Sequence, residues 1–167
     1  MASAKTKMFE LTVRIDADTG ADNQVVDLTD YIDIAEGEAF ELHEWAVMLD
    51  PNSANQTNGF PTADSTCRFQ ICDSNVTSFV SLNQRTSLGY ARISYQVANL
   101  TTDVNLSISS NNEYIENLVV SKSLWIRNES SAGTLTHTLT LRGRIVKPSA
   151  KDYMALILTQ TGQVAAA

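Results

Sequence analysis

The sequence predicts an all-β fold, two antiparallel sheets packed face to face as a sandwich. Three observations carry that prediction. Thr134 to Lys147 reads TLTHTLTLRGRIVK, in which Leu135, Leu139, Leu141 and Ile145 share one parity with His137 and Gly143. Thr134, Thr136, Thr138, Thr140, Arg142 and Arg144 occupy the other, the alternation of a strand with one buried and one polar face. Extended, the segment runs for roughly 45 Å, and a strand of that length needs long partners. Alternating runs also recur along the chain between Gly, Pro, Asn, Asp and Ser clusters. Finally, Ser, Thr and Asn are abundant while Ala-, Lys- and Glu-rich runs are scarce, which favours strands and turns over helices.

In order, Phe9, Leu11, Val13 and Ile15 face inward on a first strand that ends at the acidic turn 16–23. Val25 to Ile34 reads as a short extended segment closed by Glu36-Gly37-Glu38. From Ala39 to Leu49 the apolar parity shifts, with Phe40 and Leu42 even and Trp45, Val47 and Leu49 odd. A one-residue change of phase predicts a β-bulge near His43-Glu44, and with it a strand that turns a corner between the two sheets. Residues 50–65 form a long polar loop, of the kind that is usually functional or interfacial. Further strands are expected at 66–72, 79–82, 90–97, 104–108 and 115–127, ahead of the long strand at 134–147. Pro148 stops that strand, and Ser149 with Asp152 suits a helix start; the run YMALILT equally suits one last strand. The tally is about eight strands in one domain. Residues 1–6 are expected as an N-terminal arm, 7–161 as the sandwich and 162–167 as a C-terminal tail.

A net charge of -7 opposes direct nucleic-acid binding, whose affinity depends on neutralising phosphates. No run reaches the roughly 18 apolar residues of a membrane span. The opening MASAKTKMFEL has no apolar h-region, so no secretory signal is expected and the chain is expected in the cytoplasm when made. Cys67 and Cys72 lie about 16 Å apart along one strand, too far to bridge, and are expected as free core thiols.

For chemistry, the sharpest local motif is the turn carrying Asp16, Asp18 and Asp22, whose carboxylates can converge on a hard cation such as Ca²⁺. The competing reading is a solvated acidic turn, since Ala21 stands where an EF-hand loop needs Gly and the flanks read as strands. His43 and His137 are the only histidines; no zinc spacing, nucleophile elbow or phosphate loop is present. No catalytic residue and no cofactor are expected, and His137 is expected as a hydrogen-bonded core or interface imidazole. Arg142, Arg144, Lys147 and Lys151 form the one basic cluster, which can meet acidic loops on a neighbouring copy. The Thr136, Thr138 and Thr140 ladder suits a pleated face that is either solvated or packed against another chain. Asn55, Asn75, Asn99, Asn105 and Asn128 each begin an N-x-S/T sequon.

Residues 31–49, YIDIAEGEAFELHEWAVML, together with the order of strands and polar loops, resemble the small single-jelly-roll capsid (coat) proteins of icosahedral viruses. The resemblance implies a sandwich of jelly-roll type, with no enzymatic activity and no cofactor. It implies a structural virion protein that assembles with copies of itself and with other capsid proteins through loops and termini. The chain departs from coat proteins with a strongly basic arm, because its N-terminal segment offers only Lys5 and Lys7. The alternative is a non-catalytic carbohydrate-binding β-sandwich on a virion surface or tail fibre, with Phe60, Tyr90 and Trp125 as candidate contact aromatics.

Overall fold

The computed structural model describes residues 3–52, 55–57, 60–82, 84, 86–98, 101–109, 118–119 and 122–164. In chain order its strands are β1 (Ser3–Ala4), β2 (Phe9–Ala17), β3 (Asp22–Asp27), β4 (Ala39–Leu49), β5 (Gln56–Thr57) and β6 (Phe60–Pro61). They continue with β7 (Ser65–Cys72), β8 (Ser87–Ala98), β9 (Thr101–Ser109), β10 (Leu118–Val119), β11 (Ser123–Ser130) and β12 (Leu135–Lys147), followed by helix α1 (Ala150–Val164). All pairings are antiparallel. In the first sheet β12 is central, with β2 and then β1 along one side, β4 along the other and β10 beyond β4. The second sheet runs β3-β11-β7-β8-β9, and β5 and β6 form a small hairpin of their own.

Eight of these strands wall the sandwich: β2, β3, β4, β7, β8, β10, β11 and β12. Ranked by chain position, one sheet then reads first, eighth, third, sixth and the other second, seventh, fourth, fifth. That is jelly-roll order among these eight, which the chain traces by crossing between sheets at every step except β7 to β8; β9, paired with β8 as a further hairpin, is an added edge strand of the second sheet. Period-2 alternation fills the space between the sheets. Ile15, Phe40, Val47, Leu139 and Leu141 from the first sheet meet Val26, Phe69, Ile71, Ile93 and Ile126 from the second.

Several expectations need correction. The bulge falls where the phase shift put it: Arg142 pairs with Glu44 and Gly143 with Leu42, which leaves His43 as the extra residue. β4 nevertheless turns no corner. The extra residue resets the phase, so Leu42 and Val47 both face the same core and the strand stays in one sheet. Of the strand expected at 115–127, residues 115–117, 120 and 121 lie outside the described residues, and the rest is divided: β10 joins β4 in the first sheet and β11 joins β3 and β7 in the second. β3 stops at Asp27, where the Asp27 carboxylate accepts the Thr29 N–H at 2.8 Å and starts a turn-rich segment. Residues 79–82 form no strand and instead lie over the outer face of the second sheet.

Helix wins after Pro148. The Ser149 hydroxyl accepts the Asp152 N–H at 3.2 Å and donates to the Asp152 carboxylate at 2.6 Å, a capping arrangement with Asp in the usual Glu place. Tyr153, Leu156 and Ile157 pack on Ala39 and Val146. α1 runs to Val164, and residues 3–6 of the N-terminal arm lie along β12, with Lys5 N–H on the Ile145 carbonyl at 2.8 Å. Among the described residues no helix is long and apolar enough to cross a membrane.

Candidate functional site

The outer face of the first sheet is a broad patterned surface. Register sets its rows: Arg14, Thr138 and Met48 lie side by side, then Thr12, Thr140 and Ala46, then Glu10, Arg142 and Glu44. Arg144 and Glu41 follow, and beyond them Val146 and Ala39 carry α1. The switch from polar to apolar at Val146, on the polar parity of β12, is what seats the helix there. Met48 is 63% exposed at the opposite end of the face.

The basic cluster sits on this sheet but does not reach outward unpaired. Arg142 Nη1 donates to Glu44 Oε2 at 3.2 Å, Arg144 Nε to Glu41 Oε2 at 2.5 Å, and Lys147 Nζ to Glu36 Oε2 at 3.3 Å. Burial raises the Glu41 carboxyl, but the hydrogen bonds from Arg144 and His43 outweigh it and hold Glu41 below the usual carboxylate range. Lys151 is exposed on the first turn of α1. Thr138 and Thr140 are half-buried on the face, while Thr136 is buried and donates to Asp16 at 2.6 Å. The sequence reading missed Glu10, Arg14, Glu41, Glu44 and Met48 as members of this face. Polar parity on β2 pointed to the first two; on β4 the bulge at His43 scrambles the parity that would reveal the others.

The three aspartates are not brought together. Asp16 stays on β2 with Thr136, Asp18 accepts the Thr134 hydroxyl in the turn, and Asp22 opens β3 with a carboxylate that accepts the Asn23 N–H at 2.7 Å. The chain crosses from one sheet to the other between Ala17 and Asp22, and the crossing separates the carboxylates. Among the described residues no group of three or more His, Cys, Asp or Glu side chains can hold a metal ion.

On the second sheet the β7–β8 connection folds back over the outer face. Val80 gives its N–H to the buried Gln70 Oε1 and its carbonyl accepts from Gln70 Nε2, both at 2.9 Å. Phe79 meets Tyr90 edge-on at 6.4 Å between ring centroids, and the Arg68 guanidinium lies 4.6 Å over the Phe79 ring. Tyr90 is thus half-buried, with Phe79 against its ring. Trp125 is half-buried on the same face and Phe60 lies in β6, its side chain outside the described set. Of the sequons, Asn128 is buried at 1% exposure and closed to modification in the folded state, and Asn99 lies outside the described residues.

Between the sheets, His137 is fully buried. Its Nδ1 donates to the Leu135 carbonyl at 3.1 Å, which leaves Nε2 to accept the Tyr95 hydroxyl at 2.8 Å, while Phe69 packs edge-on at 4.7 Å. Burial pushes the imidazole down to about 4 and the Tyr95 hydroxyl upward, so both are neutral. Cys67 and Cys72 are free and buried, and burial pushes their thiols up to about 11 and about 12, out of reach of ordinary nucleophilic chemistry.

No protein-family model matches this chain, and neither does any curated protein or solved structure.

Proposed function

We propose that this chain is a structural virion protein, a jelly-roll capsid subunit that assembles with copies of itself and with other capsid proteins into a viral shell. The observation that supports it is the strand order, first-eighth-third-sixth over second-seventh-fourth-fifth. Jelly rolls also serve lectins and cupins. A cupin-like site would use imidazoles facing a cavity, whereas His137 has both ring nitrogens engaged inside a packed core. A glycan platform would present open aromatic faces, whereas Tyr90 and Trp125 are half-buried and Phe79 packs against Tyr90. Shell assembly asks only for a rigid sandwich with broad polar faces, and this chain supplies both. In this reading the protein is non-catalytic, needs no cofactor, contacts no genome directly at its net charge of -7, and resides in the virion after synthesis in the host cytoplasm.

Sedimentation and negative-stain microscopy of the purified protein test the reading. Closed particles or stable rings are expected. A stable monomer that binds a glycan array would overturn it in favour of the carbohydrate-binding alternative.

A further inference from the structure

The outer face of the first sheet is open over three rows and closed at one end by α1. Arg14, Arg142 and Arg144 stand there against Glu10, Asp16, Glu41 and Glu44, so the face is nearly neutral on a chain of net charge -7. A second copy therefore meets little net repulsion on this face. The order of charges along β2 is the sharper point. Arg14 and Glu10 lie on either side of Thr12, all three exposed, and the middle row of Thr12, Thr140 and Ala46 carries no charge.

We propose that this face docks on the same face of a second copy, about a two-fold axis lying in the interface along the Thr12–Thr140–Ala46 row. Rotation about that axis keeps each strand opposite its own counterpart and exchanges the rows on either side. Arg14 then faces Glu10 of the other copy, and Glu10 faces its Arg14, two identical pairs as an isologous contact requires. The small, uncharged middle row lets the sheets approach to the roughly 10 Å of face-to-face packing. A two-fold axis along β12 instead would bring Glu10 against Glu44, a like-charge contact, so the charge order selects the first axis. α1 has about the thickness of that inter-sheet layer and limits sliding along the strands. Three strands roughly 4.8 Å apart and three rows roughly 6.8 Å apart cover only a few hundred Å² per copy, so the contact is weak alone and depends on its charges.

The proposal takes the partner to be a second copy, as the shell reading does, and its test separates the two. Arg14→Glu and Glu10→Arg are made singly and together; both positions are exposed, and circular dichroism verifies folding. Sedimentation over a concentration series is expected to show self-association weakened about tenfold or more in each single variant and restored in the double variant. Wild-type protein that stays monomeric, single variants that associate like the wild type, or a double variant that stays weak would each overturn this face. Particles that form equally in all variants overturn it while leaving the shell reading standing. Dimers that follow the charge swap without any larger particle support the face and sink the shell reading.

Discussion

Gly143 shows how one residue governs the central strand. It lies on the buried parity of β12, where an apolar side chain would be expected, yet a Cβ there would sit inside 3.0 Å of the Glu41 carbonyl oxygen and the Phe40 ring. The β4 bulge brings that carbonyl in close, so the glycine and the extra residue at His43 form one device. Gly143→Ala must move backbone or the buried Phe40 and is expected to cost about 1–3 kcal/mol. Gly20 is the control, since a Cβ there meets nothing within 4 Å and Gly20→Ala is expected to be nearly neutral. Urea denaturation of both variants checks this; equal midpoints would show that the close approach is relaxed at no cost. In the sequence Gly143 reads only as a gap in an apolar series, because nothing local says which backbone passes above it.

At the scale of elements, the strands that alternate cleanly were legible and the segments that depend on a distant partner were not. The β12 alternation, the β4 bulge and the Ser149–Asp152 cap each rest on residues within a few positions of one another. The β10–β11 break and the folded-back β7–β8 connection rest on long-range partners that periodicity cannot register. Phe79 to Leu82 reads as a strand because it is apolar, but both backbone groups of Val80 bond to the side chain of Gln70 and the Ser81 carbonyl accepts the Gln84 N–H in a turn. Gln70 is the clasp: buried, it holds both polar groups of Val80 and also donates to the Ser87 hydroxyl at 2.9 Å. Gln70→Leu leaves those groups unpaired at a cost of about 1–3 kcal/mol each where they remain buried, so the segment is expected to lift instead. Hydrogen exchange at Val80 should rise well above that of the β7 amides. Unchanged protection at Val80 would mean that Phe79 and its contact with Arg68 hold the segment alone. The candidate face was half legible for the same reason: the Thr–Arg parity of β12 is local, whereas its glutamate partners on β4 emerge only from register.

For the whole molecule, apolar contact joins the two sheets through the core, and within that core a hydrogen bond between Tyr95 of β8 and His137 of β12 links them as well. This makes the sandwich sensitive to acid in a definite window. The folded imidazole titrates at about 4, below its ordinary 6.5, so the unfolded chain takes up a proton first as pH falls. Stability is therefore fully present above pH 6.5 and declines as pH drops from 6.5 toward 4, by about 3 kcal/mol in all at 1.36 kcal/mol per unit. Carboxylates held low by their partners, such as Glu38 and Glu41, add their loss from their ordinary 4.5 downward, through their depressed folded values. His137→Phe removes the titrating group and leaves the Tyr95 hydroxyl without its acceptor. The variant is expected to be less stable than wild type at pH 7.5, with a much flatter change in urea midpoint between pH 6.5 and 4.5. The exposed His43 is common to both proteins and cancels in the comparison. Parallel slopes over that window would remove His137 as the source of acid sensitivity there.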